Sequence, residues 1–344
     1  GRGRRRAARQ GRAGVNAGDE AGSRAGPAAG ARPPPQDLDG VLLLDTCHLG
    51  GAGTVGSFLL PGEGGRFALV ETGSGATLET LLEGVRAAGF APEALEAVLL
   101  THVHLDHAGA AGALAAASGA LVYAHALGVP HLADPSRLVA SAGRIYGDEM
   151  ERLWGEMLPV PGARLRSLEG SERLKVAGRT LRVLHTPGHA AHHVAYLLGD
   201  DALFTGDAAG IRMAGSSVSR PALPPPDIDL EVWEASVARM RAAKPRRLLL
   251  THFGEVAEAD EHLALLPARN RRWAEVVLAG LRRGESEAEL IARVAAVGDG
   301  ELLADGASPE VAARHRATSN YRMSVLGLSR YWRKHHPEAL GPAG

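Results

Sequence analysis

The chain has 344 residues, of which 15 are histidine and one is cysteine, and its formal net charge is −1. A single cysteine excludes an intramolecular disulfide framework and zinc modules rich in cysteine. No run approaches the ~18 apolar residues that a membrane-spanning helix needs. Because histidine is the commonest metal ligand and the usual acid–base group near neutral pH, the histidine positions are the most informative feature of the sequence.

The first 36 residues differ in composition from the remainder. They hold eight arginines against two acidic residues, a local charge of +6, and they lack aromatic residues. Such a segment cannot bury enough apolar surface to fold, which predicts a disordered basic leader over 1–36. A basic arm that binds nucleic acid is the alternative. Because this segment has no apolar signal-peptide core and Cys47 is unpaired, we expect the protein in the cytoplasm.

Strand-like and helical runs alternate through the middle of the chain. Short apolar runs between glycine-rich turns predict strands, and longer amphipathic runs predict helices. The predicted strands are Val41–Asp45, Thr54–Leu60, Phe67–Glu71, Val98–Thr101, Leu121–Ala124, Leu181–His185, Val194–Leu198, Ala202–Phe204 and Leu248–Thr251, and the predicted helices among them are Thr77–Gly89, Ala108–Ala117 and Leu230–Ala243. This order indicates a layered α/β architecture.

The last part of the chain has a helical pattern, with apolar residues about every 3.6 positions and charged faces between them. Helices are predicted over Leu263–Leu281, Glu287–Val297, Pro309–His315 and Tyr321–Arg333. The predicted organisation is therefore a leader over 1–36, a catalytic domain over 37–256 and a helical C-terminal region over 257–344.

Four metal-capable side chains occur within six residues, in His102-Val103-His104-Leu105-Asp106-His107, directly after a predicted strand. Side chains along an extended backbone alternate with a period of two, so His102 and His104 point the same way. Asp106 and His107 then turn toward a neighbouring position, so one loop can supply ligands to two metal ions. Three more strand-like runs are followed closely by a residue of ligand type, namely His189, Asp207 and His252.

These motifs resemble those of the metallo-β-lactamase fold hydrolases, in particular the glyoxalase II-like branch. The matching residues are Thr101-His102-Val103-His104-Leu105-Asp106-His107-Ala108-Gly109, Thr186-Pro187-Gly188-His189, Thr205-Gly206-Asp207 and Thr251-His252-Phe253-Gly254, and the resemblance covers about residues 50–256. It implies a four-layer αβ/βα sandwich with the metals at one edge between two mixed sheets, followed here by a C-terminal helical extension.

The resemblance also implies two divalent metal ions. The first would take His102, His104 and His189, the second would take Asp106, His107 and His252, and Asp207 would bridge both together with a hydroxide. Asp106 and Asp207 are the carboxylates expected to take part in catalysis. Nitrogen and oxygen ligands without thiolate favour zinc, and iron and manganese are compatible. Metal coordination lowers the pKa of water from about 15.7 to about 7, which favours hydrolysis.

The predicted function is a metal-dependent hydrolase of a thioester, an ester or a lactone, with a small-molecule substrate and neither nucleic acid nor a membrane as partner. Persulfide dioxygenases carry the same motifs, so an oxidoreductase with a single iron is one alternative. A phosphodiesterase or nuclease similar to the ribonuclease Z group is another, supported only by the basic leader. The sequence carries no indication of the oligomeric state.

One acidic position departs from the family pattern. The family usually has Asp in a D-T-G turn after an early strand, where this chain reads Val70-Glu71-Thr72-Gly73. A carboxylate beside a metal site orients ligating histidines through their other ring nitrogen. We expect Glu71 to take this role and do not count it as a ligand.

The remaining histidines and aromatic residues favour structural roles. We expect His185, His192 and His193 at the surface, with a contact to the site as the alternative, and His125 either at the surface or near the cleft. His48, His262, His315, His335 and His336 are expected at the surface. Tyr146, Met150 and Trp154 fall at i, i+4 and i+8, which predicts one helical face packed in the core, with a substrate wall as the alternative.

Overall fold

The structure is a computed structural model that describes residues 32–341. The strands there are β1 (Gln36–Leu38), β2 (Val41–Asp45), β3 (Gly56–Pro61), β4 (Phe67–Val70), β5 (Leu95–Leu99), β6 (Leu121–His125), β7 (Leu165–Leu168), β8 (Arg173–Val176), β9 (Arg179–His185), β10 (Val194–Leu198), β11 (Ala202–Phe204), β12 (Arg247–Leu250) and β13 (Gly254–Val256). The helices are α1 (Leu78–Ala87), α2 (Leu105–Ala108), α3 (Ala111–Ser118), α4 (Val129–Ala133), α5 (Ser136–Tyr146), α6 (Met150–Trp154), α7 (Leu230–Ala242), α8 (Ala259–Arg282), α9 (Glu287–Ala304), α10 (Pro309–Thr318) and α11 (Tyr321–His335).

Most of the predicted leader lies outside the described residues. The disordered leader and its nucleic-acid alternative therefore stay predictions, and so does the division of the chain at residues 37–256 and 257–344. Within the described part of the chain, no helix is long and apolar enough to cross a membrane.

The strands form two mixed sheets. The first has seven strands in the order β1 to β7, and the second has six in the order β13-β12-β11-β10-β9-β8. In the first sheet, β1 to β4 pair antiparallel and β4 to β7 pair parallel. In the second, β11 and β12 are the parallel pair and the other neighbours are antiparallel.

Alternation along each strand decides which apolar layer a side chain enters, because successive side chains point to opposite faces. On β3, Phe58 and Leu60 lie in a central layer between the sheets, whereas Leu59 faces the outer side of the first sheet. On β10, Tyr196 enters the same central layer and Leu197 faces the outer side of the second sheet. Both sheets are therefore buried on both faces.

Helices cover the two outer faces. Leu81 of α1 and Leu114 of α3 pack on the outer side of the first sheet. Val237 of α7 and Leu263 of α8 pack on the outer side of the second sheet, and α9 to α11 join that layer, for example through Leu328. The predicted four-layer αβ/βα sandwich with a C-terminal helical extension is confirmed.

The sandwich brings several strand ends to one edge. Backbone hydrogen bonds join the segments there: Val194 N donates to Thr101 O at 2.8 Å, and Thr205 N donates to Leu249 O at 3.1 Å. Gly56 N donates to Thr251 O at 2.9 Å, which ties the second sheet to the first. The segments after β4, β5, β9, β11 and β12 therefore meet at this edge.

Trp233 on α7 fixes two of these segments. Its side chain is fully buried, and its indole N–H donates to Ala208 O at 2.7 Å, beside the segment after β11. A Cβ on Gly188 would lie 2.3 Å from the Trp233 Cα, so the segment after β9 passes directly against α7. The Trp233 ring also meets the His189 ring edge-on, with centroids 5.7 Å apart.

Replacing Trp233 with alanine should lower the free energy of unfolding by about 3–5 kcal/mol, since a large buried side chain leaves a cavity. The neighbouring Val232 is 39% exposed, so Val232→Ala should change the free energy of unfolding by less than about 0.5 kcal/mol. Urea unfolding of both variants measures the difference. Equal stabilities of the two variants would contradict this account of the packing.

Candidate metal centre

Seven side chains at the shared sheet edge form two adjacent groups. The first group contains His102, His104, His189 and Asp207, and the second contains Asp106, His107 and His252. Within each group, one ligand-type atom from every side chain lies within 4.8 Å of the others. The structure thus brings together all seven sequence-predicted site residues.

The local backbone explains how six consecutive residues serve both groups. The segment after β5 is extended as far as His104, which is the N-cap of α2. The short helix α2 then starts at Leu105, so Asp106 and His107 leave the extended segment in a different direction. The change from extended to helical backbone therefore divides the histidines of one motif between two positions.

The imidazole nitrogens of the first group face one another closely. His102 Nε2 lies 2.9 Å from His104 Nδ1, and His189 Nε2 lies 3.0 Å from His104 Nδ1 and 3.2 Å from His102 Nε2. His189 Nδ1 donates to Ala222 O at 2.8 Å, which leaves its Nε2 lone pair directed at the group.

In the second group, the ligand-type atoms also face one another closely. His252 Nε2 lies 3.3 Å from His107 Nε2 and 3.4 Å from Asp106 Oδ2. His252 Nδ1 donates to Thr54 O at 2.8 Å, and this bond fixes the tautomer whose Nε2 lone pair faces the group.

Asp207 belongs to the first group and also faces the histidines of the second. Its Oδ2 lies 3.3 Å from His189 Nε2 in the first group. Its Oδ1 lies 3.3 Å from His107 Nε2 and 3.4 Å from His252 Nε2 in the second. The two oxygens of one carboxylate therefore face two different histidine groups.

These donors fit two divalent cations. Separations of 2.9–3.4 Å between most neighbouring ligand atoms approach the ~3.4 Å edge of a tetrahedron with ~2.1 Å bonds. Asp207 Oδ1 is buried and has no hydrogen-bond partner among the described residues. A buried carboxylate oxygen without a hydrogen bond is costly, and a bound cation would reduce that cost further than the facing histidines do.

Burial and neighbouring charge set different protonation states in the two groups. Burial lowers the pKa of His102 and His104 far below the usual value, and neighbouring imidazoles lower it further. Burial alone would also lower the pKa of His107 and His252, but the Asp207 and Asp106 carboxylates outweigh it and raise both. The histidines of the first group are therefore neutral, and those of the second hold protons more tightly.

Glu71 supports one histidine of each group. It is fully buried, and its Oε1 accepts a hydrogen bond from the Thr101 hydroxyl and lies 3.5 Å from His107 Nδ1. The same Thr101 oxygen lies 3.0 Å from His102 Nδ1 and can accept the proton of that nitrogen. Glu71 therefore lies beside His107 and, through Thr101, beside His102, and its orienting role stays a prediction.

Several histidines expected at the surface are buried, which corrects those predictions. The His193 ring stacks against His102 with centroids 5.0 Å apart, and its Nδ1 lies 2.8 Å from the Thr186 hydroxyl oxygen. His192 is buried nearby, and burial lowers its pKa to about 3. Both residues come directly before β10 at the shared sheet edge. This position in the sequence is the signal that favours a place beside the metal groups over the surface.

Four other surface predictions have different outcomes. His262 is buried and its Nε2 lies 2.7 Å from Ala209 O, while His315 is buried under the C-terminal helices. Both surface predictions are wrong, whereas His335 and His336 are partly exposed. His125 is buried, not at the surface, and it stacks on the partly buried His185 with centroids 4.3 Å apart; neither residue belongs to a metal group.

Tyr146, Met150 and Trp154 do not share one helix, which corrects the prediction of a single helical face. Gly147, with a φ of 53°, separates α5 from α6. Met150 packs against the core, but Tyr146 and Trp154 also line a cavity of about 450 Å³ that opens on both metal groups. His48 lines the same cavity and stacks on Trp154 with centroids 5.3 Å apart.

Glu71→Gln should weaken zinc binding by about 10–100-fold, because the charge that orients His107 and polarises Thr101 is lost. The matched control is Glu93→Gln, which removes an exposed carboxylate away from both groups. Competition with a chromophoric chelator measures both affinities. Equal affinities of the two variants would remove the orienting role from Glu71.

The second group should lose zinc first as the pH falls, because His107 and His252 must release protons before they bind a metal. Equilibrium dialysis should give two zinc equivalents at about pH 8 and one at about pH 6. His252→Gln should bind one equivalent at both pH values. Identical pH dependence for both equivalents in the unmodified protein would contradict this order of binding.

Comparisons with known proteins agree with the fold. A metallo-beta-lactamase fold-containing protein of Sulfurisphaera tokodaii is 30% identical over 54% of this chain and 72% of its own length. A structure of a metallo-beta-lactamase family protein from Thermus thermophilus superposes with a TM-score of 0.62 and 25% identity, over 86% of this chain and 94% of that chain.

Two further relatives carry the names of enzymes. An atrochrysone carboxyl ACP thioesterase of Aspergillus fumigatus is 26% identical over 66% of this chain. A hydroxyacylglutathione hydrolase of Albidiferax ferrireducens is 33% identical over 33% of this chain, in agreement with the glyoxalase II-like branch. The matches span 44% and 34% of the lengths of those proteins. The predicted enzyme class, a metallo-hydrolase, agrees with these relatives.

The sequence profile of the Metallo-beta-lactamase superfamily matches residues 50–252, which is more than half of the chain and contains all seven residues of the two groups. The chain therefore belongs to the metallo-β-lactamase superfamily.

Proposed function

We propose that this protein hydrolyses a thioester, an ester or a lactone with two divalent metal ions held by the seven clustered side chains. The observation that carries this proposal is the position of Asp207, whose two oxygens face the two histidine groups. When bound, a pair of such ions supplies hydroxide near neutral pH and polarises the substrate carbonyl.

The residues of the chain provide the remaining conditions for hydrolysis. The histidines of the first group are neutral and ready to act as ligands, since burial keeps their pKa low. Asp106 and Asp207 stay ionised: burial would raise their pKa, but the facing histidines lower it. Two carboxylates against two divalent ions leave an excess of positive charge, which stabilises a developing oxyanion.

The cavity gives a substrate access to this centre. His104, Asp106, Asp207 and His252 all belong to its lining, so a carbonyl group inside it meets both groups at once. A volume of about 450 Å³ falls within the ~300–1,000 Å³ that is typical of small-molecule sites. The thioesterase name of one relative favours a thioester among the three bond types.

The two alternatives receive less support. A dioxygenase with a single iron shares the motifs of both groups, so these residues do not separate it from a hydrolase, but the thioesterase and hydroxyacylglutathione hydrolase names of two relatives favour hydrolysis. A nuclease needs cations for the phosphate backbone, and Arg152 is the single Lys or Arg in the described lining of the cavity. We therefore place hydrolysis of a carbonyl compound first.

Asp207→Ala should lower kcat/KM on the best substrate by on the order of 10³-fold and should reduce bound metal, since it removes a contact to both groups. The control is Asp200→Ala, an exposed carboxylate at a turn outside the cavity. Metal analysis is combined with a screen of thioesters, lactones and phosphodiesters. A single iron with oxygen uptake, or full metal content and activity in Asp207→Ala, would refute the proposal.

A further inference from the structure

The cavity above the metal groups is mainly apolar, which points to the chemistry of the substrate. Its walls come from α5, α6, the segment after β11 and the junction of α10 and α11. The apolar side chains that form them include Leu138, Ile145, Leu153, Ile211, Leu223 and Met323. Because apolar surface gains free energy on leaving water, this wall selects an apolar group.

One wall lies beyond the segment that matches the superfamily profile, which ends at residue 252. Thr318, Asn320 and Met323 contribute this wall from the junction of α10 and α11. Trp154 and Tyr146 line the same cavity and meet edge-on with ring centroids 5.2 Å apart. The cavity is therefore closed partly by helices that contribute no ligand to the metal groups.

Most polar groups of this wall are already engaged. The Asn320 side chain caps α11 by accepting from Arg322 N and Met323 N, and the Ser324 hydroxyl donates to Asn320 O. Proline has no N–H to donate, so Pro224-Pro225-Pro226 offers a substrate no backbone donor. These residues therefore present little that would bind a charged group.

Charge is also scarce away from the metal groups. Arg152 pairs with Glu149, whose Oε2 lies 2.7 Å from Arg152 Nε, and the Arg152 side chain is 60% exposed. The Trp154 indole N–H and the Thr318 hydroxyl have no partner among the described residues. They can bond one uncharged polar group, but they cannot neutralise a carboxylate or a phosphate.

We propose that the substrate is a thioester whose acyl part is an uncharged, apolar chain of medium length, held between α5 and the junction of α10 and α11. This inference rests on the proposed function, since the metal groups at one side of the cavity fix the scissile carbonyl. The acyl chain then fills the apolar cavity, and the leaving thiol points toward solvent.

The test uses the metal-loaded protein and a series of N-acetylcysteamine thioesters, which share one small neutral thiol. Between acetyl and hexanoyl, kcat/KM should rise by about threefold to fourfold per methylene, on the order of 100-fold in total. Adipoyl, in which a carboxylate replaces the terminal methyl group of hexanoyl, should react at least about tenfold more slowly than hexanoyl. Equal kcat/KM values across the series would overturn the inference.

Variants on two elements test where the acyl chain binds. Ile145→Trp on α5 and Met323→Trp on α11 each narrow the cavity from a different helix. Each should therefore lower the octanoyl-to-acetyl ratio of kcat/KM by about tenfold. Ala140→Trp places the same side chain at an exposed position of α5 outside the cavity and should leave the ratio unchanged. An unchanged ratio in both cavity variants would exclude this location.

Thioether analogues, in which a methylene replaces the scissile carbonyl, separate the substrate class from the reaction. Their affinities, measured by calorimetry, should rise with chain length and fall in Ile145→Trp. If analogue affinity depends on chain length but no thioester is hydrolysed, the proposed function is refuted and the apolar binding site is retained. Turnover of the thioesters with analogue affinities independent of length would refute the apolar site alone.

Discussion

The constraint on which the structure depends is a buried carboxylate, Asp207, held between two groups of imidazoles. Removing a carboxylate from water is costly unless charge and hydrogen bonds compensate for it. Here the facing histidines hold its pKa far below the usual range despite burial, which keeps it ionised. The compensation works only if four strand ends reach the same edge, and the two-sheet sandwich brings those ends together.

Residues outside the two groups hold this arrangement in place. Trp233 bonds the segment that carries Asp207 and packs against the one that carries His189. Glu71 adopts a left-handed φ of 66° in a fully buried position, a backbone conformation that is uncommon outside glycine. Its carboxylate faces His107 and the Thr101 hydroxyl at the same time. The supporting packing thus sustains a strained backbone position, because one carboxylate there serves both groups.

The sequence predicts the interior of the fold better than its edges. The strands Val41–Asp45, Val194–Leu198 and Ala202–Phe204 agree with the structure to the residue, because strands buried on both faces are continuous apolar runs. The four strands that sequence reasoning missed, β1, β7, β8 and β13, are the edge strands of the two sheets. They are three or four residues long, and each includes at least one exposed position, so their residues resemble loop sequence. The pairing that defines them comes from distant residues, which local patterns do not contain.

The same distinction separates the metal centre from the substrate cavity. The ligands follow strand ends in short motifs, and the resemblance of these motifs to those of the metallo-β-lactamase fold hydrolases implies which side chains meet. The cavity walls come from α5 and α6, whose aromatic stripe is broken at Gly147, and from the junction of α10 and α11, more than 200 residues after the first histidine motif. No local pattern joins these segments, since only the packing of the C-terminal helices on the second sheet brings them together. The motifs therefore predict the type of chemistry, and tertiary packing determines the shape and polarity of the group that this chemistry acts on.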